Sequence, residues 1–257
     1  MTTETETPTT VNDNKPSKPI PYGSITDFTE LLATASPKIL DFLKSVHHSG
    51  PWTISAKAAS GAWYAKSFNE RQQGEMVRWV AERNGKENLY WQINLLTCDP
   101  GNKASMDQVL CVPHFHVECD PRDGYAIEEE RKTILGLLSD EERLKRFGLP
   151  GLPSLVIDSG SGYWGFWGLA KPVPVEGTEE GERRISAEAI SRKNRGIIES
   201  VNRAVSTKIG DHCFNLDRVA RLPFTVNIPD AGKTALGRKA VWANIVFRTD
   251  RLYRAEQ

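Results

Sequence analysis

The chain has no stretch of apolar residues approaching the roughly 18 needed to cross a bilayer, and its opening residues are Thr, Glu, Pro, Asn and Lys without an apolar segment. These two absences argue against a membrane span and a secretory signal. Cysteine is scarce: Cys98, Cys111, Cys119 and Cys213 form no CxxC pair. A disulfide framework is therefore not expected, and free thiols in a reducing, cytoplasmic setting are the default reading. Excess charge of one sign is also missing, with 33 Lys and Arg against 33 Asp and Glu. A broad basic field for nucleic acid is excluded, so any such contact must come from local patches. What remains is 257 residues, 39% hydrophobic and 26% charged, the composition of a globular protein able to bury a sizeable core.

Residues 1–20 read as a disordered tail. Ser36-Pro37, with apolar residues at 39, 40, 42, 43 and 46, predicts a helix with proline at its first position, ending near His48. A short strand is expected at 52–55, a helix at 69–83 stopped by Asn84-Gly85, and strands at 89–96 and 110–119. A charged helical segment follows at 127–147, with a break near Ser139. Apolar runs at 154–158 and 163–169, separated by Ser159-Gly160-Ser161-Gly162, have the composition of a hairpin. A helix is expected at 186–207 and a closing strand at 241–247. Helices interleaved with strands and a hairpin predict an α/β (α+β mixed) fold with a mixed sheet.

The strand at 110–119 carries the most informative local feature. Side chains alternate along a strand, so His114, His116, Glu118 and Asp120 share one face, opposite Phe115, Val117 and Cys119. The apolar face is expected to pack inward and leave the acidic pair on an open face. Adjacent carboxylates repel unless a cation sits between them, and Mg²⁺ or Mn²⁺ is the usual occupant. A transition-metal site joining His114 and His116 to Cys119, His212 or Cys213 fits the spacing poorly, because Cys119 points to the opposite face. Trp63, Trp79, Trp91, Trp164, Trp167 and Trp242 read chiefly as core. Arg192, Lys193 and Arg195 form a helix face that is either solvated or follows a nucleic-acid backbone.

Three blocks in order are Phe-His-Val-Glu-Cys-Asp-Pro-Arg (115–122), Pro-Ser-Leu-Val-Ile-Asp-Ser-Gly-Ser-Gly-Tyr-Trp-Gly-Phe-Trp-Gly-Leu (153–169) and Asn-Leu-Asp-Arg-Val-Ala-Arg-Leu-Pro-Phe-Thr-Val-Asn (215–227). Together they resemble the archaeo-eukaryotic primase superfamily, in particular the primase-polymerase domains of plasmid and phage replication proteins. The resemblance covers about residues 88–230. It implies a primase-polymerase core with an RRM-like sheet: an N-terminal module at about 21–105 and a catalytic module at about 106–250 within one domain spanning 21–257.

It further implies that Glu118 and Asp120 bind divalent metal, with Asp217 as a third catalytic carboxylate. Ser159 matches the serine of a nucleotide-binding hairpin, but Trp164 occupies its histidine position, and Phe224 replaces a glycine in the third block. The remaining nucleotide-binding candidates are Gly160, Ser161, Gly162, Arg218, Arg221 and Asn227. The turn amides would form an anion nest completed by Arg218 or Arg221.

The implied activity is metal-dependent nucleotidyl transfer from dNTPs or NTPs on a single-stranded DNA template, in plasmid- or phage-type replication. A helicase domain or partner is expected alongside. The alternatives are a catalytically weakened replication-initiator module of the same fold and a metal-dependent phosphodiesterase.

Overall fold

The computed structural model describes residues 19–122, 124–235 and 237–255. The expected tail at 1–20 lies outside these, except for Pro19 and Ile20. Two antiparallel sheets dominate. The first contains β1 (Trp52–Lys57), β2 (Trp63–Phe68), β3 (Asn88–Gln92) and β8 (Val219–Arg221), in the order β2-β1-β3-β8. The second contains β4 (Leu95–Leu96), β5 (Val109–Cys119), β6 (Leu155–Asp158), β7 (Tyr163–Pro174) and β11 (Asn244–Arg248), in the order β11-β6-β7-β5-β4. A short ladder pairs β9 (Val226–Asn227) with β10 (Val241–Trp242). The α/β character is as expected, while the ladders between these strands are all antiparallel.

Local chemistry sets the helix ends. Helix α1 (Thr29–Val46) begins well before Pro37, which lies inside it. The Asp27 carboxylate accepts from Thr29 N (2.9 Å) and Thr29 Oγ1 (2.7 Å), starting the helix upstream. Pro37 forfeits one backbone bond, offset by burial of Ala35, Ile39, Phe42 and Leu43. Asn69 caps a 3₁₀ turn (Glu70–Gln72) that leads into α2 (Gln73–Arg83). Asp140 accepts from Arg143 N at 3.0 Å and separates α3 (Ile127–Leu138) from α4 (Glu141–Arg146), one residue past the expected break. Helix α5 runs from Glu180 to Val205 because Glu179 and Glu182 form a reciprocal capping box. A short α6 (Ala231–Ala235) precedes β10.

The histidine face of β5 is not open as expected. His114 lies against His47, Trp91 and Phe166, with ring centroids 6.2–6.3 Å away. His116 is buried beside Trp164 and Phe166. Because a residue of β3 and a residue following α1 reach this face, the histidines form part of an aromatic layer joining the sheets. The opposite face of β5 and β7 contributes Phe115 and Leu169 to a cluster with Ala187 and Ile190 of α5. At its C-terminal end β5 emerges from this packing, leaving Glu118 half-buried and Asp120, just past the strand, exposed.

Candidate active site

Strand β4 pairs with β5 only through Leu95↔Cys111 and Leu96↔Val109. Farther along, the outer edge of β5 needs other partners for its backbone groups. His116 N donates to Asn194 Oδ1 of α5 (2.7 Å), and Glu118 N donates to Cys213 Sγ (3.2 Å). Asp211 N donates to the Glu118 carbonyl (2.9 Å), while Asp120 N donates to the Ile209 carbonyl (3.0 Å). Residues 209–213 therefore act as a surrogate edge strand and bring Asp211 alongside the acidic pair.

Arg218 joins these carboxylates. Its Nη2 donates to Glu118 Oε2 at 2.7 Å and to Asp211 Oδ2 at 3.3 Å. Burial, followed by repulsion from Asp120, pushes Glu118 up to about 7 despite the opposing Arg218 charge. Asp120 is also raised, first by desolvation and then by Asp211, against the opposing charges of Lys233, Arg238 and Arg218. Arg218, Lys233 and Arg238 offset this repulsion only in part, and both carboxyls stay above their ordinary values. Carboxylate oxygens are the donors a hard divalent cation takes, although among the described residues no group of three or more Asp, Glu, His or Cys side chains is placed to hold a metal ion.

Asp217 occupies a different setting. Its Oδ1 is enclosed without a hydrogen-bond partner, and the structure brings Asp211 rather than Asp217 into contact with the Glu118 network. Sequence reasoning passed over Asp211. The available signal was Gly210 immediately before it: a Cβ there would lie 3.1 Å from Ile198 and 3.3 Å from Asn202 and Val117. Glycine permits the close approach of this segment to α5 and β5.

The Ser159–Gly162 turn meets Asp120 directly. A Cβ on Gly162 would lie 2.3 Å from the Cys119 carbonyl and 2.5 Å from Asp120 Oδ1. Within the turn, Gly160 N donates to Asp158 Oδ1 (2.7 Å), and Gly162 N donates to Ser159 Oγ (3.0 Å). Both glycine amides are consumed internally, which removes them from the expected anion nest. Arg131 holds the turn from below: its two terminal nitrogens donate to Asp158 Oδ1 and Oδ2 at 3.0 and 2.8 Å, and Nη1 also reaches the Gly160 carbonyl.

Several other expected nucleotide ligands are structural. Arg221 is buried over the Tyr90 ring and donates to Asn88, Tyr90 and Asn227. Asn227 donates to the Ser159 carbonyl at 2.8 Å, tying the third block to the hairpin. Trp164 pairs with Glu118 across β5 and β7, but its ring is buried and stacked on Phe166 at 5.8 Å. It forms a hydrophobic wall beside the carboxylate. Arg221 and Arg218, the arginines expected to complete a phosphate site, both donate to partners within the protein.

Cations enter instead from the segment containing α6. A cavity of about 320 Å³ opens beside Asp120 and is lined by Tyr22, Ser161, Asn227, Lys233, Arg238 and Lys239. Arg238 Nη1 is enclosed and has no hydrogen-bond partner. On α5, Arg192, Lys193 and Arg195 are all exposed, and the Arg195 guanidinium carbon also lies 4.0 Å from the Phe214 ring centroid. Lys193 borders a separate cavity with Phe115 and Trp167, on the sheet face opposite Glu118. His116 Nε2 lies 2.8 Å from the Cys213 carbonyl, and all four cysteines are free thiols.

Among solved structures, the chain is similar to the AEP domain of the cyanophage S-2L primase-polymerase. Identity is 16%, the TM-score is 0.53, and the match covers 86% of this chain and 95% of that one. The fold is that of a primase-polymerase AEP domain. Primase RepB′ and its catalytic domain in complex with initiator DNA match at 12% and 11% identity, with TM-scores of 0.47 and 0.45. Each match covers 86% of this chain, and they cover 59% and 89% of those chains. No family model and no curated protein matches the sequence. Among the described residues, no helix of this primase-polymerase fold is long and apolar enough to cross a membrane.

Proposed function

We propose that this chain is a metal-dependent, template-directed nucleotidyltransferase of primase-polymerase type, using dNTPs or NTPs on single-stranded DNA in plasmid- or phage-type replication. The observation that carries this reading is the undercompensated acidic group at the end of β5, adjoining a cavity lined by Lys233, Arg238 and Lys239. Glu118, Asp120 and Asp211 would hold Mg²⁺ or Mn²⁺, which when bound supplies Lewis-acid stabilisation for phosphoryl transfer. Asp217 is less favoured for that role because its carboxylate is not part of the Arg218 network. Lys233, Arg238 and Lys239 would bind the triphosphate, with the enclosed Arg238 guanidinium able to take two phosphate oxygens. Ser161 would border the phosphates, while Ser159, Gly160, Gly162, Arg221 and Asn227 maintain the cavity wall. Arg218 would orient Glu118 and Asp211 and limit their repulsion. A helicase activity, in the same protein or a partner, would expose the template.

The test is primed and unprimed incorporation on a defined single-stranded template with each metal. The wild-type chain should incorporate nucleotides, and Glu118→Ala with Asp120→Ala should abolish this. Full activity in the double variant would overturn the assignment. A second reading, an initiator module with weakened catalysis, is favoured by the packed Trp164 and by Arg218 engaging Glu118. It requires DNA binding that persists without metal or nucleotide, accompanied by no incorporation.

A further inference from the structure

Beyond the candidate triphosphate cavity lies a second one of about 520 Å³, lined by Tyr22, Arg122, Tyr125, Ile127 and Arg238. Tyr22 and Arg238 border both cavities. Tyr125 is 59% exposed, yet its ring is fixed from one side: the Arg122 guanidinium carbon lies 4.0 Å from the ring centroid. Arg122 is held in place by Nε and Nη2 donating to the two Glu130 oxygens at 2.8 and 2.6 Å, and by Nη1 donating to Thr207 Oγ1 at 3.1 Å. The exposed ring therefore rests on a guanidinium whose own position is fixed. Preorganisation of this kind reduces the ordering cost of stacking a planar ligand. Arg238, with an enclosed and unpartnered Nη1, stands between this ring and the acidic pair's cavity.

We propose that Tyr125, backed by Arg122, is a nucleobase-stacking platform, and that Arg238 takes a phosphate of the same nucleotide unit. The ligand class rests on the nucleotidyltransferase reading, while the platform rests on the aromatic–guanidinium geometry and the shared cavity wall. Free nucleoside triphosphate and single-stranded DNA offer the same base-plus-phosphate chemistry. The Tyr125 ring is expected to contribute to the binding of one or both.

The experiment uses the full chain, with Tyr125→Ala and Tyr125→Trp variants whose folding is checked by thermal melting. Affinity is measured separately for a nucleoside triphosphate with Mg²⁺ and for a labelled single-stranded oligonucleotide, each beside a counterpart lacking the base. Tyr125→Ala should weaken at least one base-containing probe by roughly 5- to 100-fold. Tyr125→Trp should retain affinity, and the corresponding baseless probe should bind wild type and Tyr125→Ala alike. Loss with triphosphate assigns the incoming nucleotide, loss with oligonucleotide assigns the strand, and loss with both assigns a shared platform. Unchanged affinity for both base-containing probes, or equal losses with and without a base, overturns the proposal. Base-dependent binding without any incorporation would sink the catalytic reading and leave the platform standing; incorporation with base-independent binding would do the reverse.

Discussion

At the residue scale, the acidic group has an internal asymmetry. Glu118 belongs to β5 and is pinned by Arg218, whereas Asp120 follows the strand and sits against the hairpin turn. Asp211 joins them through backbone pairing that no short-range sequence pattern specifies. Asp217 has the more conspicuous sequence context, immediately before Arg218, but a different environment. Asp211→Asn should lower nucleotide incorporation by roughly 100-fold or more. Asp217→Asn should have a smaller effect, seen by comparing initial rates at saturating template and metal. The reverse ranking would restore Asp217 as the third carboxylate. Burial and the neighbouring Asp120 carboxylate raise Glu118 above the ordinary carboxylate range, against the pull of Arg218.

At the element scale, the β6–β7 turn is organised by the buried Arg131–Asp158 pair. Its shortest contact is 2.8 Å, and the two side chains are 2% and 3% exposed. Burial raises Asp158, while the bonds from Arg131 oppose that shift. Removing one partner strands the other charge. Arg131→Met is expected to destabilise the protein by about 3–5 kcal/mol, read from urea unfolding. Asp158→Asn combined with Arg131→Met should recover part of this loss; no recovery would mean that the pair is not the source of the destabilisation. The hairpin was legible because Ser-Gly-Ser-Gly separates two apolar runs. Its Arg131 brace was not legible, because an arginine inside a charged helical segment gives no local sign of being drawn into the core. Similarly, β2 was missed because Trp63-Tyr64-Ala65-Lys66-Ser67-Phe68 shows no strict alternation, and β8 was obscured by an Arg-Leu-Pro sequence that reads as a turn.

At the scale of the whole molecule, the two sheets meet through His47, Trp91, His114 and Phe166. Burial lowers His47 from 6.5 to about 4, against hydrogen bonds including one to Gln92. Burial also lowers His114 to about 3, assisted by repulsion from His47, His116 and Arg248. Between the ordinary and lowered values, the unfolded chain binds more protons than the folded one. Stability is therefore lost as pH falls from about 6.5 toward 4, by roughly 3 kcal/mol for each histidine. Unfolding midpoints in urea should fall across that interval, and His114→Phe should make the decline shallower. An identical pH slope in the variant would remove His114 from this explanation.

The sequence by itself determined the local periodicities: an acidic pair at the end of a strand, a hairpin with small turn residues, a long amphipathic helix and an α/β fold class. These follow from side-chain alternation and backbone preferences acting over a few residues. Tertiary structure decided which groups share the resulting site. Pairing of 209–213 with β5 brought in Asp211; burial engaged Arg221 internally and left Trp164 as a wall; and the segment around α6 supplied Lys233 and Arg238 to the cavity. These choices depend on desolvation, edge pairing and charge compensation between distant segments, which become fixed only when the chain closes on itself.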